Sequence, residues 1–447
     1  MKTSYPLWGG IAALLGLTLL AAGAYADVPA PDAQASARRL SLQEALALAQ
    51  VSNVSIRQRQ ADAEAASASA RSAQAQQKPS VSTTTYGTVG DSSNILTTSP
   101  GVAPQNIFAV PSRGFADQNL MVMVPLFTGG SLAGRTASAR RQASAAQAGV
   151  AGARLTVSAE VASAYALAAL GNALVAVAQA QQSAEDEQVR VTAEKVQTGR
   201  LAPVDLLREQ AAQAEARQGV LAAANAQAQA LVTLRFLLGL PQSSALALTD
   251  TLDTLVAAPS NLPVTLAAAL AEAKRRPELI AANAQVQAAQ SAVRGAEGAY
   301  VPQVYGVAMG DASLGQGLQR AGYTLGLTAS LPLYDGGQRR ADVDAAKARA
   351  ERARADAQQA GQQVEQETAS AWLTWQTAAA QVQATAVGIA AAQQGYVLAT
   401  LRYNAGKSTT AERLDALAAL VRARGAFAQA QADVIMSQAR LRAAIGQ

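Results

Sequence analysis

Pro125-Leu126-Phe127-Thr128-Gly129-Gly130 closes an apolar stretch, and it returns 207 residues later as Pro332-Leu333-Tyr334-Asp335-Gly336-Gly337. The same spacing pairs Gly199 with Gly406, and Arg235…Leu238-Gly239 with Arg442…Ile445-Gly446, so residues 125–239 align with 332–446 without a gap. Upstream, Ser41-Leu42-Gln43-Glu44-Ala45-Leu46 matches Thr265-Leu266-Ala267-Ala268-Ala269-Leu270 at a spacing of 224, and Pro79 matches Pro302 at 223. The longer spacing is absorbed between two strand segments of the first unit. Self-similarity on this scale marks a repeated supersecondary unit. The chain therefore reads as one unit written twice, 40–239 and 264–447, joined by a Pro/Ser/Asn-rich linker at 240–263.

Each unit orders its elements as helix, strand, strand, helix, helix. Ser41-x-x-Glu44 is a capping box, and a helical pattern runs from it to about Gln77, where Lys78-Pro79 stops it. Residues 80–90 are rich in β-branched side chains and read as a strand. A Gly/Pro/Asn/Ser loop follows at 91–114, then a second strand at 115–127 ended by Gly129-Gly130. A long helix from Ser131 to about Thr198 is broken by Gly199. Another begins at Pro203, a favourable first-turn residue, and reaches Leu238. In the second unit the strands fall at 301–311 and 321–333. There Tyr323, Leu325, Leu327, Ala329, Leu331 and Leu333 share one face, opposite Thr324, Gly326, Thr328 and Ser330. The fold class is mainly α with a small β part.

Lengths turn this order into an architecture. A helix of 68 residues spans roughly 100 Å at 1.5 Å per residue. The two shorter helices of a unit, end to end, nearly match it, so a long helix and two stacked short ones form a two-stranded coiled coil. Strands of about 11 residues can cross a bilayer, but four of them cannot close a barrel, and open edges are not viable in lipid. Copies must pool their strands. Three chains would give a trimeric 12-stranded membrane-spanning β-barrel, continued by a long periplasmic α-helical coiled-coil barrel.

Composition agrees. The 447 residues include no Cys and no His, which excludes disulfides, Cys or His zinc sites, Cys nucleophiles and Ser–His–Asp triads. Lys2, the apolar run Leu7–Leu20 and Ala24-Tyr25-Ala26 form a secretory signal peptide, 1–26, followed by a short linker at 27–39. Its removal leaves 35 basic and 31 acidic residues, a net +4 that does not point to nucleic acid. After it no run of 18 uninterrupted apolar residues occurs, so membrane insertion is expected through a β-barrel, with membrane lipid as the partner. Gly406-Lys407-Ser408-Thr409 lacks the glycine five residues upstream that a phosphate loop needs, since that position is Leu401. Trp372 and Trp375, with Tyr165 as the first-unit counterpart of Trp372, read as packing residues. Arg349, Arg352 and Arg354 alternate with Glu351 and Asp356 as solvated helix faces do. No catalytic residue, metal or cofactor is expected.

The duplicated order, the paired Pro-Leu-Phe-Thr-Gly-Gly and Pro-Leu-Tyr-Asp-Gly-Gly motifs, the turns at Gly199 and Gly406, and Tyr403-Asn404-Ala405-Gly406 leading into Glu412-Arg413-Leu414-Asp415 resemble the TolC-like outer-membrane efflux proteins. The resemblance runs from about Leu40 to Gln447. It implies a homotrimer in the outer membrane whose helical tunnel meets a periplasmic adaptor and an inner-membrane transporter. Gly199 and Gly406 would lie at the helix-turn tips that form the periplasmic entrance. Glu412 and Asp415 match the acidic ring inside it, where focused negative potential favours cations. Asp205 and Tyr403 match the contacts that hold the entrance shut. The family's arginine partner falls at Ser408, so Lys407 or Arg413 is the expected substitute. The resemblance covers small-molecule efflux, which is favoured, and type I protein secretion. A non-channel periplasmic coiled-coil scaffold is the reading of another class, separable by whether extraction needs detergent.

Overall fold

The computed structural model describes residues 38–89, 94–97, 105–109, 114–259, 261–315 and 318–447. The expected signal peptide lies outside the described residues, as does nearly all of the 27–39 segment. In chain order the elements are β1 (Arg38–Leu40), α1 (Leu42–Ser52), α2 (Val54–Ala75), β2 (Ser80–Val89), β3 (Asn94–Thr97), β4 (Gln105–Ala109) and β5 (Gly114–Phe127). They continue with α3 (Ser131–Gln197), α4 (Pro203–Leu237), β6 (Leu246–Leu248), α5 (Leu252–Ala257), α6 (Leu266–Ala273) and α7 (Pro277–Glu297). The chain ends with β7 (Gln303–Gly315), β8 (Leu318–Ser330), α8 (Gln338–Asn404) and α9 (Thr410–Ile445). Helices α3 and α8 each have 67 residues.

The single first helix expected over 41–77 is two helices. Ser41 and Glu44 close the capping box as the sequence implies, but Asn53 takes ψ 131° and both ends α1 and caps α2. Its side chain accepts from the Ser55 amide and donates to the Leu237 carbonyl, 2.9 Å away. This long-range partner rewards a break that an α-helix would not tolerate. In the second unit α6 and α7 separate at Arg276, whose ψ of 141° follows from the proline after it. The supposed loop 91–114 contains the β3–β4 hairpin, and the linker 240–263 contains β6 and α5. Strand β8 ends at Ser330, so Leu331 and Leu333 lie beyond the ladder; Pro332 offers no amide to continue it.

The helices form a layer of four columns. Helices α2 and α4 pack end to end along α3, and α7 and α9 pack end to end between α3 and α8. The long helices, each expected beside two stacked short ones, are joined into one layer because the α7/α9 column touches both. Close approach is built from small residues. A Cβ on Gly134 of α3 would stand 2.5 Å from the Cα of Gly295 on α7. Gly134→Ala should therefore cost about 1–3 kcal/mol through overpacking, seen as a lower thermal midpoint by circular dichroism. An unchanged midpoint would contradict this crossing.

Halfway along the layer, β1 pairs parallel with β6, and α1 and α5 settle on α3. The core there combines Leu40, Ile56, Val161, Tyr165, Leu234 and Leu238, all buried. An 18-residue window within α3 is apolar enough to cross a membrane, yet half of it is buried inside the chain. It serves this core. Trp372 and Trp375 pack against Leu262, Ala269, Leu441 and Ile445.

At one end of the columns lies an antiparallel sheet of order β2-β5-β7-β8. Strand β5 pairs with β2 and β7, and β7 with β8 over Gln303↔Ser330 to Gly315↔Leu318. Within the chain β2 and β8 are its edges. On β8, Tyr323, Leu325 and Leu327 are 83%, 73% and 74% exposed.

Candidate functional site

At the opposite end, each long helix turns back through a glycine in the left-handed region. Gly199 has φ +71° and Gly406 φ +69°, and a side chain on either would meet open space. The bonds match in kind: Gly199 and Arg200 amides donate to Val196 and Lys195 carbonyls, Gly406 and Lys407 amides to Tyr403 and Arg402 carbonyls. These close orphan carbonyls at the helix ends. Pro203 then opens α4, and the Thr409 hydroxyl accepts from the Glu412 amide to open α9. The Lys407-Ser408-Thr409 run is therefore a helix cap.

The first turns carry the expected charges. Glu412 and Asp415 are both exposed on α9, while Arg413 between them is turned inward. Asp205 pairs with Arg208 of its own helix at 3.6 Å, a weak surface pair. Tyr403 is buried with Lys195 Nζ 5.0 Å from its ring centre, and its hydroxyl has no hydrogen-bond partner. Within one chain Asp205 is thus held by Arg208, while the Tyr403 hydroxyl is unpaired. Lys407 is exposed, and Ser408 Oγ lies 3.5 Å from the Ala399 carbonyl.

Arg413 belongs to a cluster that the residue pattern did not reveal. It is 1% exposed, with Glu185 of α3 at 2% and Glu209 of α4 at 0%. One guanidinium nitrogen, Nη2, donates to Glu209 Oε2 at 2.6 Å and to Glu185 Oε2 at 3.2 Å. Glu209 Oε1 and Arg413 Nε are buried without a partner. Burial pushes the Glu209 carboxyl up to about 7; Arg413 pulls the other way and Glu185 adds to the rise. A signal was available in the repeat: at the 207-residue spacing Glu185, Glu209 and Arg413 stand opposite Ala392, Ala416 and Leu206. At these three positions the charge in one unit faces an apolar residue in the other.

A second ion cluster ties the start of α7 to α8. Arg276, nearly buried, bonds Glu278 at 3.1 Å and Glu367 of α8 at 2.7 Å. It borders an open groove of about 1070 Å³ whose lining mixes Ala and Leu side chains with polar ones such as Glu160, Gln363, Gln366 and Arg440. The described residues contain no group of three or more metal-ligating side chains.

Long helices with hairpin tips at one end and a small antiparallel sheet at the other define the channel-tunnel class of outer-membrane proteins. The family model for outer membrane efflux proteins matches residues 42–240 and 270–447, and the chain belongs to that family. The family is one of outer-membrane channels rather than enzymes, which places the protein in the Gram-negative outer membrane. The chain is 29% identical over 206 residues to the outer membrane efflux protein BepC of Brucella suis, a match spanning 43% of each chain. That is less than half the length of this curated relative. Its fold is that of VceC from Vibrio cholerae (TM-score 0.74, 20% identity, 91% of this chain and 96% of that one). It is also that of the open-state MtrE channel from Neisseria gonorrhoeae (TM-score 0.74, 21% identity, 91% and 88%).

Proposed function

We propose that three copies of the mature chain, released from the 1–26 leader, pool their sheets into a 12-stranded barrel and their helices into a periplasmic tunnel. The observation that carries this is the four-stranded sheet itself, whose edges β2 and β8 are open within one chain. Its exposed Tyr323, Leu325 and Leu327 suit lipid and not water. An open sheet edge in a bilayer leaves backbone groups unpaired, and neighbouring copies supply the missing partners. The units 40–239 and 264–447, joined through 240–263, then alternate six times around the wall.

In this reading the protein is a passive exit duct, powered by an inner-membrane transporter and joined to it by a periplasmic adaptor. Small-molecule efflux is favoured over type I protein secretion, in keeping with the efflux naming of its relatives. The turns at Gly199 and Gly406 form the entrance. Exposed Glu412 and Asp415, three apart at the start of α9, line it as a ring of up to six carboxylates, and Asp205, Tyr403 and Lys407 sit at its closing contacts.

Planar-bilayer conductance tests the assignment. Wild type is expected to give small cation-favouring openings blocked by multivalent cations. Glu412→Ala with Asp415→Ala should weaken that block by an order of magnitude or more, because a converging carboxylate ring is what concentrates such ions. Block that survives the double substitution removes these residues from the ring. Detergent-solubilised protein should run as a trimer; a monomer in mild detergent contradicts the pooled barrel.

A further inference from the structure

The Glu185–Arg413–Glu209 cluster joins three helices at a mechanically decisive place. Glu185 and Glu209 belong to the α3/α4 hairpin and Arg413 to the α8/α9 hairpin. Among the described residues no other ion pair links these two hairpins. The cluster is also unbalanced. Two carboxylates share one guanidinium nitrogen in a place without solvent, so the fully ionised form carries an uncompensated negative charge. Burying such a charge is costly, and a protein avoids the cost by holding a proton. The unpaired Glu209 Oε1 is the free carboxyl oxygen at which that proton can reside.

Neighbouring charges do not supply the missing compensation. On α3, Asp186 is taken by Gln213 and Arg217 of α4. On α4, Arg208 is 56% exposed and paired with Asp205. On α9, Glu412 and Asp415 point to solvent, and on α8 buried Tyr403 lies beside Lys195.

We propose that Glu209, Glu185 and Arg413 form a proton-loaded latch between the two hairpins. With one proton on the carboxylate pair the latch is neutral and closed; release of that proton to water leaves an uncompensated buried charge that loosens α9 from α3 and α4. The direction follows from linkage. A carboxyl raised from the ordinary 4.5 to about 7 in the folded protein contributes its full holding strength below 4.5 and loses it as pH rises through about 7. The tip is therefore firm in acid and looser in mildly alkaline surroundings. The proposal concerns the hairpins alone and is independent of what the duct carries.

The chain has no cysteine, so paired spin labels can be placed without background. Labels at Gln197→Cys and Ala411→Cys, both exposed at the tips, report the separation of the hairpins in the full-length detergent-solubilised protein. The distance distribution is expected to be narrow at pH 5.5 and to broaden by pH 8.5, with a midpoint near pH 7. Glu209→Gln, which keeps the shape of the protonated acid, should hold the narrow distribution throughout. Glu185→Gln removes the repelling charge and should move the midpoint down by about one pH unit or more. A wild-type distribution that does not change with pH overturns the latch, as does a Glu209→Gln protein that follows the wild-type profile. Should Glu209→Gln not fold, an unmoved midpoint in Glu185→Gln overturns it equally.

Discussion

Arg413→Leu should lower stability by about 3–5 kcal/mol, because it strands two buried carboxylates without their only cation. Glu185 and Glu209 are both essentially inaccessible to solvent, so neither can turn outward to recover hydration. The repeat supplies the control. Glu185→Ala, Glu209→Ala and Arg413→Leu together copy the residues at the equivalent positions of the other unit, Ala392, Ala416 and Leu206. Replacing a buried ion cluster by apolar groups is often neutral or stabilising, so the triple variant should regain most of the loss. The measurement is the thermal midpoint of detergent-solubilised protein for the single and triple variants side by side. If the triple variant is as weak as Arg413→Leu, the damage comes from packing at the site and not from unpaired charge. The triple variant should also be insensitive to pH at the tip, which joins this experiment to the latch.

Tyr165→Ala is expected to be comparably severe, at about 3–5 kcal/mol for a ring removed from a closed core. The side chain is completely buried at the middle of α3. Its hydroxyl lies 2.9 Å from the Leu40 carbonyl and 3.1 Å from Asp250 Oδ2, which also accepts from the Leu42 amide at 2.7 Å. Burial pushes the phenol up to about 12, so it remains a donor throughout the physiological range. One ring thus fastens the start of the first unit and the inter-unit segment to the same helix. Tyr165→Phe keeps the ring and should cost only about 1–2 kcal/mol, the value of a buried hydrogen bond. Limited proteolysis provides a second readout. Tyr165→Ala should expose the 240–263 segment to cleavage well before the rest of the chain, and equal resistance in the alanine and wild-type proteins would show that this segment is held by other contacts.

Much of the architecture was legible because it rests on local chemistry. Proline at the first turn of α4 and glycines at equivalent positions act within a few residues, and their positions set the helix ends to within a residue or two. Among the described residues, the eight glycines with positive φ form four pairs 207 apart, 129/336, 130/337, 199/406 and 239/446. The break at Asn53 was not legible, because its reward is the carbonyl of Leu237, 184 residues away. The break before Pro277 did have a local cause, and the apparent continuity of the first unit concealed it. At the tips, position next to a turn made Arg413 look like a surface contact. Its inward side chain is set by Glu185 and Glu209, 228 and 204 residues away, while Glu412 and Asp415 face outward. Asp205 and Tyr403 were placed beside the turns, but the order of residues did not show that Asp205 pairs with Arg208 of its own helix or that Tyr403 lies beside Lys195.

The four columns have a consequence for how force travels. Two columns, α3 and α8, are uninterrupted, and each runs from the glycine turn at the tip to the root of the sheet. The other two are jointed near mid-height, where α2 meets α4 and α7 meets α9. Such a wall resembles a floor with through-beams and spliced boards between them. The splices let the lower boards, α4 and α9, tilt without bending the upper ones, α2 and α7. In the duct proposed above, the hairpins below the splices would move while the sheet keeps its shape.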